Sequence, residues 1–293
     1  MITKNQSNIK VHFAGVEGYP HAISSVAAGV KYGLATAFPF VHKFFKSGKV
    51  DERKMIKQIS SHYEHFILDS GLFTLMFGSH KGKKDEAYID RWYECLTDYI
   101  LHEDYNGTAV EVDCQKVLGV EKAWEYREKM KEKLPNRIIN VFHLEDGQKG
   151  LDRLIEFSDY IAISVPELRF LNKKEYLYRL ATYIKNKKPS IDIHLLGFSE
   201  KTTLNKFSFC TSCDSTSWLA PLKYGEIEVG KTKINIKYIK KEIWEPKCLL
   251  WEKVNRELFP QYITNCKRQY YGTEVICAEQ MLKIYIEAAG SQN

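Results

Sequence analysis

The chain is expected to fold as an α/β protein, a (β/α)8 TIM-like barrel with a C-terminal hairpin and a helical accessory layer. Three observations predict this. Short apolar or β-branched runs alternate with amphipathic stretches from about residue 9 to 215. Polar residues stand at the same end of nearly every run. After Trp218 the alternation stops. Strand–helix repetition reads as a parallel sheet. Seven such units in a chain of 293 residues suit a barrel better than an open sheet.

The expected strands are Lys10 to Ala14, Phe66 to Leu68, Ala109 to Val112, Ile138 to Phe142, Tyr160 to Ser164, Ile193 to Leu196 and Phe207 to Cys210. Their continuous apolar character is that of strands covered on both faces. Asp85 to His102 places Ile89, Trp92, Tyr93, Leu96 and Ile100 at helical spacing. Val120 to Leu134 is a charged helix that ends before Pro135. Leu151 to Phe157 and Lys173 to Lys187 continue the pattern. Gly225 to Gly230 and Lys233 to Tyr238 alternate polar and apolar residues around Gly230-Lys231, a hairpin signal. Trp244 to Ala289 reads as helical cover. No linker or repeat divides the chain, so residues 1–293 are expected to form one domain. Its barrel core spans about 9–220 and its accessory region about 221–293.

Composition narrows the function classes. Apolar content of 44% and charged content of 27% are ordinary for a soluble globular protein. No apolar run reaches the ~20 residues of a membrane helix. Met1 to Gln6 lacks the apolar region of a signal peptide. A cytoplasmic protein without a membrane partner is the expectation. The seven Cys are scattered and are expected to be reduced thiols. A net charge of +6 is a mild lean. Lysine clusters at 81–84, 129–133, 185–188 and 231–241 read as solvated faces or as phosphate-contacting surface. Charge and aromatic content permit a nucleic-acid substrate without showing one.

The chemistry sits at the strand ends. In order they read Gly15-Val16-Glu17-Gly18, Asp69-Ser70-Gly71, Glu111-Val112-Asp113-Cys114, His143-Leu144-Glu145-Asp146-Gly147, Ser164-Val165-Pro166-Glu167, Gly197-Phe198-Ser199 and Asp214-Ser215. Barrel enzymes present catalytic groups at that end of the sheet. A single Asp-Ser or Asp-Gly is commonly a turn or a helix cap, and Asp152 and Asp192 are read that way. Asp69, Asp113 and Asp214 would share one face. Two such carboxylates can supply a nucleophile and a general acid/base at a sugar C1 carbon.

In this order and spacing the motifs resemble the tRNA-guanine transglycosylase superfamily, over about residues 9 to 220. The chain is most similar to the short phage members that place 7-deazaguanine bases in DNA. Leu68-Asp69-Ser70-Gly71 resembles the element with the general acid/base, and Cys213-Asp214-Ser215-Thr216-Ser217-Trp218 the segment with the nucleophile. Val110-Glu111-Val112-Asp113 resembles the strand whose Asp reads the base edge. Asn140-Val141-Phe142-His143 and His194-Leu195-Leu196-Gly197-Phe198 resemble the base-binding turns.

The resemblance implies catalytic roles for Asp214 (nucleophile) and Asp69 (general acid/base). It implies a base pocket drawn from Asp113, Phe142, His143, Gly197, Phe198, Ser70 and Phe73. The partners it implies are DNA, with tRNA as the alternative, and a free 7-deazaguanine base of the preQ0 kind; a homo-oligomer is compatible with it. The tRNA enzymes carry Pro-Thr-Arg after the nucleophile, where this chain has Ser215-Thr216-Ser217-Trp218. Their Gln-Gly-Gly turn is replaced by His143-Leu144-Glu145-Asp146-Gly147. Both differences favour the DNA branch. The family's Cys-x-Cys-x-x-Cys…His zinc motif is not visible. Cys210-Thr211-Ser212-Cys213 supplies two thiols where a tetrahedral zinc site usually takes four ligands. No cofactor is therefore required, and zinc stays as an alternative without a complete ligand motif. Rival readings are an N-glycosidic hydrolase and a non-catalytic nucleic-acid-binding subunit.

Overall fold

A computed structural model describes residues 9–49, 56–72, 85–198, 200–229, 232–262 and 268–290. Eight parallel strands close into a barrel: β1 (Lys10–Ala14), β2 (Tyr32–Thr36), β3 (His65–Asp69), β4 (Thr108–Val110), β5 (Ile138–Phe142), β6 (Tyr160–Ser164), β7 (Asp192–Leu196) and β8 (Ser212–Ser215). Pairing of β1 with β8 sets His12 beside Asp214 and completes the ring. Helices connect the strands, among them Tyr19–Ala27, Glu86–His102, Val120–Lys133, Gly147–Phe157 and Tyr176–Lys187.

Two expectations about the strands are corrected. β2 had no counterpart in the sequence reading. Its Gly33 and Ala35 give little strand signal. Gly33 is there for packing, since a Cβ would lie 2.9 Å from the Phe66 ring and 3.0 Å from Tyr63. The apolar run Phe207 to Cys210 is not a strand; a 3-10 helix over Lys201–Phe207 precedes the real one, β8. Asp69 and Asp214 therefore belong to the third and eighth strands.

Side chains alternate across each strand. Ala14, Leu34, Ile67, Val110, Ile139, Val141, Tyr160 and Ala162 form one apolar cluster inside the barrel. The same parity turns His12, His65, His194 and Ser212 inward. His12 Nε2 lies 2.7 Å from His65 Nδ1, and His65 Nε2 lies 3.0 Å from Thr108 Oγ1. Burial drives His12 well below the usual imidazole range, with the nearby rings of His194 and His65 pushing the same way, and drives His65 down to about 4, helped by Lys10. Neutral His12 and His65 thus fill part of the barrel interior.

The opposite parity faces the helices. Glu111 is gripped by Arg127 of the helix Val120–Lys133, with Nε to Oε2 at 2.8 Å. It also accepts from Asn140 Nδ2 at 2.6 Å and Val141 N at 3.0 Å. This buried, hydrogen-bonded pair ties β4 and β5 to one helix just below the mouth.

The hairpin appears as β9 (Glu226–Val229) and β10 (Thr232–Asn235), antiparallel, with its Gly230-Lys231 turn outside the described residues. Two long helices, Lys241–Leu258 and Arg268–Ala288, follow. They cross closely at Gly272, where a Cβ would strike the Trp244 carbonyl. Trp251 stacks on Tyr271 at 4.1 Å between centroids. Trp251, Val275, Met281 and Tyr285 share a core with the outward face of β1 and with Trp218. No helix among the described residues is long and apolar enough to cross a membrane.

Candidate active site

Inward parity carries Asp69 on β3 and Asp214 on β8 to the C-terminal mouth. Asp69 Oδ1 accepts the Gly71 N–H at 2.9 Å. Gly71 has φ +75°, and a Cβ there would sit 2.8 Å from the Phe38 nitrogen, so only glycine closes this turn. The Ser70 carbonyl is held by Trp92 Nε1–H at 3.0 Å. Burial pushes the Asp69 carboxyl up to about 6. The Gly71 N–H opposes this, while Asp214, Asp113 and Glu17 push the same way. Asp69 thus feels three further carboxylates across one mouth.

Asp214 is buried, its side chain 9% exposed. Its Oδ1 accepts the Gly197 N–H at 2.8 Å and lies 3.1 Å from His194 Nε2. His194 Nδ1 is 2.6 Å from Ser212 Oγ, which also meets the Tyr160 hydroxyl. A carboxylate oxygen only accepts, so the contact with Asp214 takes a proton on His194 Nε2, and Ser212 Oγ can meet Nδ1 as donor or acceptor. Both contacts fall on Oδ1; Oδ2 has no hydrogen-bond partner among the described residues.

Gly197 sits at φ +66°, and a Cβ would lie 2.9 Å from Pro166. Gly197→Ala is expected to cost about 2 kcal/mol from the left-handed backbone and the contact. It would also shift the N–H that holds Asp214. Denaturant titration reads the stability loss.

The third carboxylate, Asp113, is 28% exposed and receives His143 Nε2 at 2.8 Å on Oδ1. His143 Nδ1 contacts Glu167 Oε2 at 2.8 Å, and Lys116 Nζ bridges Glu167 at 2.9 Å and Glu145 at 2.8 Å. Burial alone would lower His143, but hydrogen bonds to Asp113 and Glu167 outweigh it and raise the ring to about 10. His143 is therefore an imidazolium that orients Asp113. Its pKa is raised on folding, so the stabilisation is fully present below about 6.5 and is lost as pH rises through about 10. His143→Gln is expected to cost about 2 kcal/mol at pH 6, since it leaves two acids without their shared cation. The gap from wild type should close as pH approaches 10 in chemical denaturation.

The structure brings Asp69, Asp113, His143, Gly197 and Asp214 to one mouth. Phe142 and Phe198, also expected in the base pocket, are buried in packing. Phe142 shares the outward parity of Asn140 and is buried in the barrel–helix layer. Phe198 packs edge-on against Phe207 at 5.4 Å. Phe142 is outward because it follows Val141, the last inward residue of β5, and Phe198 lies beyond β7, past the turn at Gly197 that redirects the chain. Ser70 is buried and anchored through its carbonyl, and Phe73 lies outside the described residues.

Sequence reasoning left three residues out of the site: Glu17, Glu167 and His194. Glu17 and Glu167 were readable as strand-end acids. His194 had the signal of a polar residue at an inward strand position. Burial raises Glu17, and its buried Oε2 has no hydrogen-bond partner among the described residues. A cavity of about 740 Å³ bordered by Lys174, Tyr178, Phe198 and Phe207 contains neither catalytic candidate. Burial pushes the thiols of Cys210 and Cys213 upward, and among the described residues no three or more His, Cys, Asp or Glu side chains are placed to hold one metal ion together.

Comparison of the chain with protein-family models and with curated proteins gives no match.

Proposed function

We propose that this barrel exchanges guanine in DNA for a 7-deazaguanine base through a covalent enzyme–sugar intermediate. The observation that carries the reading is the pairing, in one mouth, of two inward carboxylates with different surroundings. Asp214 is oriented by two donors on one oxygen, whereas Asp69 is raised to about 6 and so can hold a proton. This is the separation of roles that nucleophile and general acid require.

In the first step Asp214 Oδ2 bonds to C1′, the C1′–N9 bond breaks, and its electron pair leaves with the purine. Asp69 gives the departing base its proton. In the second step Asp69 takes the N9 proton of the incoming base, N9 bonds to C1′, and the ester to Asp214 breaks. Asp113, turned by His143, accepts from the N1–H and 2-amino group of the base. An adenine-like edge would leave that acid unmatched. The target nucleotide must be unstacked or single-stranded to enter. DNA is preferred over tRNA on the Ser215-Thr216-Ser217-Trp218 sequence.

The test is incorporation of labelled 7-deazaguanine base into guanine-containing DNA and into tRNA, with free guanine measured in parallel. Incorporation into DNA with stoichiometric guanine release is expected, at a rate that falls with salt. Guanine release without incorporation would show a hydrolase, and incorporation into tRNA alone would move the substrate.

A further inference from the structure

We propose that a cavity beside the carboxylate pocket, flanked by Lys201 and Lys233, binds a phosphodiester of the strand next to the nucleotide held at Asp214. The identity of the strand rests on the base-exchange reading; the site rests on its own observations. The cavity measures about 340 Å³ and lies between the short helix Ala220–Tyr224, the hairpin and the helix Arg268–Ala288. Lys201, Ser217, Tyr224, Glu226, Lys233 and Gln280 contribute to its walls.

Its position ties it to the proposed chemistry. Ser217 is three residues beyond Asp214, and three residues reach at most ~11 Å. Ser217 Oγ accepts from Ser215 Oγ at 2.9 Å and contacts Tyr285 OH at 2.8 Å, which fixes this wall. Lys201 comes from the connection that also carries Gly197, the donor to Asp214.

Charge points the same way. Residues 220–241 contain six Lys and two Glu, so this short stretch holds most of a whole-chain net charge of +6. Several lysines elsewhere are spent on carboxylates, such as Lys31 on Glu64, Lys122 on Glu86 and Glu125, and Lys188 on Asp159, while others such as Lys129 and Lys187 stand dispersed on outer helices. Lys201, Lys223, Lys233 and Lys237 make no ion pair among the described residues. The hairpin that presents them is seated, with Ile227 and Ile239 packed on Ile276 and Cys277. Unpaired cations on a fixed frame concentrate a positive field. Two lysines against one glutamate leave the cavity near a single positive charge, matching a phosphodiester better than a terminal phosphate. Tyr224 and Tyr238, 73% and 78% exposed, offer faces on which neighbouring bases can stack.

Binding of a labelled single-stranded, guanine-containing DNA to the full chain, read by fluorescence anisotropy across a KCl series, tests the site. Lys201→Gln with Lys233→Gln is expected to weaken binding about tenfold and to flatten the slope of log affinity against log salt by about 1.4, at ~0.7 per single-strand phosphate contact. Arg at both positions should restore affinity to within about twofold. Gln at Lys129 and Lys187, exposed on outer helices, removes the same charge and should change affinity less than about twofold. Equal losses in the two Gln pairs would overturn the proposal, as would displacement of DNA by millimolar inorganic phosphate from wild type alone. Lysine-dependent binding without base exchange would sink the functional reading and leave the site standing. Normal exchange and binding in the Lys201→Gln, Lys233→Gln protein would do the reverse.

Discussion

Asp214→Asn is expected to lower the proposed base exchange by on the order of 10⁴-fold or more, because that reading assigns the bond to C1′ to this carboxylate. DNA affinity should stay within about threefold of wild type, since the phosphate contacts lie on other residues. The substitution keeps the size of the side chain and its acceptor for the Gly197 N–H at 2.8 Å, so the fold should survive. Denaturing electrophoresis supplies the second readout: wild type mixed with DNA and no incoming base should give a protein–DNA adduct, and Asp214→Asn none. An adduct that persists in the variant would remove Asp214 from its role. His194→Phe should behave differently. It removes the donor 3.1 Å from Oδ1 but leaves the nucleophile, so the adduct should still form, with kcat reduced about 10- to 100-fold and KM little changed. His194→Gln, which can still donate, should recover part of that loss. A purely structural His194 would lower the amount of folded protein without this split.

Residues such as Asp69 and Asp214 were legible in the sequence because each breaks an apolar pattern where the pattern has to end or turn inward. Lys10–Ala14, Ile138–Phe142 and Tyr160–Ser164 are strands at their expected bounds; in the latter two, near-continuous burial leaves a clear apolar or β-branched run. β2 was illegible because its Gly33 is dictated by the aromatic pair Tyr63 and Phe66, which only tertiary structure brings near. β8 was misplaced because a barrel carrying a polar inner face reads as Ser-Cys-Asp-Ser, not as a strand. The same limit hid the geometry of the site. Nothing in the spacing of Asp113, His143 and Glu167 reveals that one imidazolium joins both acids. Nor does spacing tell inward from outward at Phe142, where one step of alternation separates a pocket wall from core, or show how the turn at Gly197 redirects Phe198.

Asp69→Asn should make the protein more stable at neutral pH and far less active. The folded carboxyl is raised from 3.8 to about 6. A raised pKa means the folded state holds its proton more tightly than the unfolded chain. The associated stability is complete below about 3.8 and is lost as pH rises through about 6. At pH 7 the ionised group sits in a mouth with Asp214, Asp113 and Glu17, at a cost of about 2 kcal/mol. The amide removes that charge and still accepts the Gly71 N–H, so unfolding free energy at pH 7 should rise by roughly that amount, with no gain at pH 4. Exchange should fall by about 10²- to 10⁴-fold, because the amide can neither give nor take the proton. In wild type, adduct formation should decline as pH rises above about 6, where the acid form disappears. That limb should be absent from the residual activity of Asp69→Asn. A variant less stable than wild type at pH 7, or one that keeps the limb, would assign the proton to another group, and Glu17, raised by burial at the same mouth, would be the next to replace.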